Sequence, residues 1–150
     1  MKLYLMRHGH AVEKFTDAQR PLSERGRAEA AESAESAVKR HDISIKTIYH
    51  SPKLRARQTA EILAEFIKSG PDLIEAEQLL PDDDISYWYQ RAYEEDDIAL
   101  VGHMPYMADL ASRLLINSGD NSIISFQTAQ IVHIAADKDG ICRLEWIVRS

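Results

Sequence analysis

Four side chains in three places along the chain are suited to gripping and attacking an oxyanion. They are Arg7 and His8 in Arg7-His8-Gly9, Arg55 shortly after Ser51-Pro52, and His103 in Gly102-His103. Arginine offers a rigid fork of N–H donors, and phosphate is the oxyanion best matched to several forks at once. A helix N-terminus adds free backbone N–H groups to the same task. With two histidines in such a cradle, one neutral imidazole can attack phosphorus while the other, if protonated, stabilises charge on the equatorial oxygens. The chemistry open to this set is covalent phosphoryl transfer without a metal.

These residues are separated by long stretches of chain, so secondary structure must bring them together. Residues 2–6 are an almost wholly apolar run ending at Arg7, which reads as a strand buried on both faces and then a loop from Gly9 to Leu22. Ser23 caps a helix with a small-residue face (Ala30, Ala31, Ala34, Ala37, Val38) that ends near Arg40. Residues 43–50 read as a second strand. Ser51-Pro52 reads as a cap with proline at the first helical position, and the helix it opens has the stripe Leu54, Ala60, Leu63, Phe66 and Ile67, closed by Gly70-Pro71. Leu73 to Ala76 suggests a short third strand. Asp82, Asp83 and Asp84 then precede a weaker helical pattern of Ile85, Trp88, Tyr89 and Ala92. Ile98 to Gly102 is another buried-strand run, and Pro105 opens a helix faced by Ala108, Ala111, Leu114 and Leu115. Ile131 to Ala135 and Cys142 to Val148 flank the turn Asp137-Lys138-Asp139-Gly140, a closing β-hairpin.

Strands alternating with helices predict a single-domain three-layer α/β/α sandwich over residues 1–150, with a mostly parallel central sheet and a C-terminal β-hairpin. In such sheets, ligand sites gather beyond the carboxyl ends of the strands, where Arg7-His8, Ser51 to Arg55 and Gly102-His103 all fall. Composition narrows the partners. The 150 residues carry 18 Lys and Arg against 24 Asp and Glu, a net charge of −6, and no basic run. Nucleic acid and membrane surfaces are therefore not expected partners. The apolar N-terminal run is too short for a secretion signal, and no stretch approaches the ~20 residues needed to cross a bilayer. The lone Cys142 forms no internal disulfide, which fits a reducing compartment, so a cytoplasmic location is expected.

Arg7-His8-Gly9, Ser51-Pro52-x-x-Arg55-Ala56-x-Gln58-Thr59-Ala60 and Gly102-His103, in that order, resemble the histidine phosphatase (phosphoglycerate mutase-like) superfamily. Arg20-Pro21-Leu22-Ser23-x-x-Gly26 and the short chain are similar to the SixA branch of phosphohistidine phosphatases. The resemblance covers essentially the whole chain. It implies that His8 is the nucleophile, held through its other ring nitrogen by a backbone carbonyl near Gly9. It also implies that Arg7, Arg55 and His103 bind the transferred phosphoryl group and that Arg20 adds a contact at the mouth. Neither a cofactor nor a metal is implied. Two positions depart from the pattern: His10 stands where relatives commonly carry Asp, Glu or Gln, and Met104 follows His103 where some relatives place an acid.

Asp82, Asp83 and Asp84 lie in the region where mutase-like members place a general acid, although such a run more often caps a helix and is solvated. Imidazole (reference pKa ~6.5 as a side chain) leaves more readily than an alkoxide and needs a donor less, so a missing acid favours an N–P substrate. The expected activity is metal-independent hydrolysis of phosphohistidine. Its substrate is a phosphorylated protein, such as a histidine-containing phosphotransfer domain, or a small phosphorylated molecule. A phosphomonoesterase, a mutase-like enzyme and a non-catalytic phosphate-binding module are the alternatives. His8 and His10 also form a His-x-His pair able to ligate zinc, but no further ligand cluster follows. Arg57 reads as a surface charge and His41, His50 and His133 as ordinary surface or partly buried residues. Tyr87, Trp88, Tyr89 and Tyr93 read as a patch that packs the weak helix or lines the cleft.

Overall fold

Alternating burial makes the strands. In β1 (Lys2–Arg7), Leu3 and Leu5 enter one apolar cluster while Tyr4 and Met6 enter another on the opposite face. Further along come α1 (Glu24–Arg40), β2 (Thr47–His50), α2 (Leu54–Phe66), β3 (Asp72–Glu75), α3 (Ser86–Glu94), β4 (Ile98–Gly102), α4 (Tyr106–Ile116), β5 (Ile131–Ala136) and β6 (Cys142–Val148). This computed structural model describes residues 1–119 and 122–150. The six strands form one sheet in the order β3-β2-β4-β1-β5-β6. The first four in that order are parallel, whereas β5 runs antiparallel to β1 and β6 antiparallel to β5. The small-residue face of α1 and Ala56, Ala60 and Leu63 of α2 cover Tyr4, Met6, Ile48, Ala99 and Val101. Trp88 and Ala92 of α3 and the apolar face of α4 cover Leu3, Leu5, Leu100, Val132 and Ile134. The architecture is the three-layer α/β/α sandwich expected from the sequence. Among the described residues, no helix is long and apolar enough to cross a membrane.

Three local expectations are corrected. The second strand starts at Thr47 rather than residue 43, because its neighbours pair with it only from Ile98 and Asp72 onward, and Asp97 (φ 58°) turns the chain away before that point. The Ile45 carbonyl instead accepts the Ser69 hydroxyl at 2.9 Å. α2 opens at Leu54, two residues after Pro52, with Lys53 at its cap position and no side-chain cap. Ser51 receives the Lys53 N–H at 3.3 Å and is fully buried at the end of β2. Finally, Leu54 and Phe66 are only half-buried, because the helix turns Ala56, Thr59, Ala60 and Leu63 inward.

The start of α1 is pressed against the segment that follows β1. Ser23 caps the helix by accepting the Gly26 N–H at 3.0 Å, and a Cβ added at Gly26 would lie 1.9 Å from the His10 carbonyl oxygen. A Cβ at Gly9 would meet the Gly26 carbonyl at 2.6 Å. Both obstacles are backbone and neither can rotate away. Gly26→Ala should therefore cost about 2–4 kcal/mol, measured by urea denaturation. A midpoint equal to that of the unmodified protein would show that the helix shifts freely.

Candidate active site

Because β2, β4 and β1 are adjacent and parallel, their carboxyl ends share one edge of the sheet. The ladder runs one residue past each end: the His8 N–H donates to the Gly102 carbonyl at 2.9 Å and the Ser51 N–H to the Val101 carbonyl at 3.0 Å. His8 and Ser51 are thus each fixed by backbone pairing against β4, and His103 is the residue that follows it. The rings of His8 and His103 are 5.1 Å apart, centre to centre, and tilted by 60°.

The His8 ring is oriented by its own loop. Its Nδ1 is 2.6 Å from the Gly9 carbonyl oxygen, which only accepts, so Nδ1 carries the proton and Nε2 keeps its lone pair. The loop is anchored from two sides. The Gly9 N–H donates to the Thr59 hydroxyl at 3.0 Å, and that hydroxyl donates to the Arg55 carbonyl at 2.7 Å, tying the loop to the first turn of α2. On the other side the Ala129 N–H donates to the His8 carbonyl at 3.1 Å. Ala129 has φ 62°, a conformation a non-glycine residue adopts only when its surroundings impose it.

His103 is almost wholly buried, and its Nε2 is hydrogen-bonded to the Ser51 hydroxyl at 2.7 Å. Arg7 reaches across β1 to donate from Nη1 to the Phe126 carbonyl at 2.8 Å. Among the described residues, Arg7 Nε, Arg55 Nε and His103 Nδ1 are buried without a hydrogen-bond partner. Arg20 is the remaining cation that the sequence places at the mouth. Held at φ 49° with its Nε donating to the Val12 carbonyl at 3.0 Å, it lies close enough for its charge to act on His8 and Arg55.

Other candidates fall elsewhere. The His10 ring bonds the Ser23 hydroxyl at 2.7 Å, so His8 and His10 have different partners. Arg57 is exposed and paired with Glu61 at 3.1 Å. Asp83 accepts the Leu80 N–H and Asp84 the Ser86 N–H, each at 2.8 Å. The Ser86 backbone bond holds the Asp84 carboxyl below the usual carboxylate range, the wrong direction for an acid at neutral pH. His50 bonds the Ser51 carbonyl, His133 stacks on Tyr4, and His41 stacks on Trp146. Tyr87 and Trp88 line a groove of ≈ 580 Å³ beside β3, together with Tyr49, Glu75, Glu77 and Arg91, and do not reach the paired histidines. Sequence reasoning missed the interior role of Ser51, read there as a cap, and the contribution of the loop 126–130.

Burial is the main force on both rings. It lowers the His8 pKa to about 4, helped by the charges of Arg55, Arg7 and Arg20 and opposed by the Gly9 bond. It lowers His103 to about 3, with His8, Arg55, Lys53 and Arg7 adding to the effect. Both rings are neutral at pH 7. Since the unfolded chain holds these protons up to pH ~6.5, the stability tied to them is complete above that pH. It is lost as pH falls through the window down to about 4 for His8 and about 3 for His103. The fall in melting temperature between pH 7 and pH 4 should therefore be smaller in a His8→Asn, His103→Asn double variant than in the unmodified protein. Parallel curves would place the acid sensitivity elsewhere.

The chain is similar to several known proteins. A family model described as the histidine phosphatase superfamily (branch 1) matches residues 3–80, which include Arg7, His8, Arg20 and Arg55. The phosphohistidine phosphatase SixA of Escherichia coli (strain K12) is 26% identical over 152 residues, covering 97% of this chain and 92% of that protein. The structure of the protein histidine phosphatase SixA complexed with tungstate superposes with a TM-score of 0.83 at 24% identity, over 99% of this chain and 97% of the other. The alpha-ribazole phosphatase of Shigella flexneri has a TM-score of 0.75 at 16% identity, over 100% of this chain and 96% of its own.

Proposed function

The chain belongs to the histidine phosphatase superfamily and is a phosphatase, and from that premise we propose that residues 1–150 form one domain that hydrolyses phosphohistidine in a cytoplasmic phosphoprotein through a phosphorylated His8. The observation that carries the reading is the Gly9-bonded His8 ring, which keeps a lone pair on Nε2, lies 5.1 Å from the ring of His103 and is within reach of the charges of Arg55, Arg7 and Arg20.

In the first half-reaction His8 Nε2 attacks phosphorus and the substrate imidazole departs with its electron pair. The Arg7 and Arg55 forks and the His103 ring hold the equatorial oxygens, and Arg20 adds charge at the mouth. As the anion enters, its charge raises the affinity of His103 for a proton, which strengthens the donor where negative charge is greatest. In the second half-reaction water attacks the phosphohistidine, His8 leaves as the nucleophile restored, and inorganic phosphate is released. Three arginines and an uncapped helix start supply the neutralisation that a metal ion supplies elsewhere. Activity should therefore survive exhaustive chelation.

Substrate choice follows from the acid. Among the described residues, no carboxyl is hydrogen-bonded to His8 or His103, and Asp83 and Asp84 are committed to backbone N–H groups. A weakly basic imidazole gains less from a donor than an alkoxide does, so turnover of phosphohistidine should exceed that of 3-phosphoglycerate at least ~10-fold. The gap should lie mainly in kcat, since the cradle grips the same phosphoryl group in each substrate. The test is to assay both substrates with and without EDTA. Faster hydrolysis or isomerisation of phosphoglycerate would overturn the substrate assignment. Activity lost to EDTA and restored by one divalent ion would overturn the metal-free mechanism.

A further inference from the structure

Glu29 sits in the second turn of α1, and its side chain is only 15% exposed. One carboxylate oxygen accepts the His10 N–H at 3.1 Å, and the Thr128 hydroxyl lies 3.1 and 3.0 Å from the two oxygens. Arg25, at 3.5 Å, approaches from the solvent side. The two segments joined in this way are the ones that flank His8. The first carries His8 and Gly9 themselves. The second donates the Ala129 N–H to the His8 carbonyl, accepts the Arg7 N–H at Gln130 (3.2 Å), and accepts Arg7 Nη1 at Phe126.

We infer that Glu29 is a positioning residue for phosphoryl transfer: it clamps the His8 loop to the 126–130 loop behind it. It acts through His10 and Thr128 and touches neither the nucleophile nor the phosphoryl group. The inference rests on the proposal that His8 is the nucleophile. The half-buried carboxylate is held in place by the His10 N–H and the Thr128 hydroxyl. Its effect on rate comes from holding a geometry, and a misplacement of ~1 Å at a reacting centre costs about 100-fold.

The experiment uses p-nitrophenyl phosphate as the probe with the full chain and its Glu29→Ala, Glu29→Gln and Thr128→Val variants. It reads the quench-flow rate of enzyme phosphorylation, KM, and inhibition by inorganic phosphate and by vanadate, whose bipyramidal geometry mimics the transition state. Glu29→Ala should slow phosphorylation about 100-fold while KM stays within about threefold. Vanadate inhibition should weaken far more than phosphate inhibition. Glu29→Gln keeps the acceptor for His10 and should recover to within about tenfold, and Thr128→Val should fall between the two. A merely structural residue would lower the amplitude of labelled enzyme and leave its rate, and the vanadate-to-phosphate ratio, unchanged; that result overturns the clamp. If Glu29→Ala does not fold, an unchanged ratio in Thr128→Val overturns it equally. A failure of the unmodified protein to form labelled enzyme overturns the nucleophile assignment instead, and the clamp with it.

Discussion

Replacing His8 with Ala is expected to remove turnover by four orders of magnitude or more, roughly 10⁴- to 10⁶-fold, as loss of a covalent nucleophile does when the rest of a site is intact. The fold should survive. The contacts that set the loop are made by the His8 backbone, whose N–H donates to Gly102 and whose carbonyl accepts from Ala129, and alanine keeps both. Alanine also removes a buried imidazole whose protonated form the site disfavours, so the variant should not be more sensitive to acid than its parent. Inorganic phosphate should still bind, because Arg7, Arg55 and His103 remain. Steady-state assay with phosphohistidine, alongside calorimetric titration with phosphate, separates the two effects. Residual turnover within tenfold of the parent would place the nucleophile elsewhere.

The second large effect is expected at Arg7. Burial holds its guanidinium somewhat below the ordinary arginine value, with Glu29 opposing, yet it stays charged at any working pH. With Nη1 anchored on Phe126 and a buried Nε without a partner, the fork is already aimed before substrate arrives, so little ordering is lost on binding. Arg7→Ala should lower kcat/KM by roughly 10³-fold, ~4 kcal/mol. Arg7→Lys should recover no more than about tenfold, since a single ammonium cannot both hold Phe126 and present a fork. Arg57→Ala, on the exposed face of α2, should stay within about twofold and serves as the control. Equal losses at Arg7 and Arg57 would mean that general positive charge, rather than a fixed fork, governs the rate.

Much of this was legible in the residues, for physical reasons. β1 and β4 are buried on both faces, so they announce themselves as continuous apolar runs, and the ends of those runs mark where chemistry is presented. The motif residues sit at these ends, and the parallel order β2-β4-β1 then brings His8 and His103 together without further information. The start of β2 was less legible because Ile43 and Ile45 are apolar without being paired, and pairing depends on where β4 begins. Ser51 was misread because serine before proline is a good cap in isolation, whereas here its hydroxyl is drawn to the buried His103 ring. Glu29 and the 126–130 loop were illegible. Glu29 reaches His10 and Thr128 across 19 and 99 residues of chain, and such contacts follow no local period.

The most direct test of the account is to mix the protein with ³²P-labelled phosphohistidine substrate, quench in alkali within milliseconds, and map the label by peptide. One acid-labile, alkali-stable phosphoryl group should be found on the peptide carrying His8. It should appear before inorganic phosphate and decay at a rate that accounts for turnover, and it should be absent from the His8→Ala variant. Phosphate release at full rate without labelled protein, or label on any other residue at the rate of turnover, would contradict it.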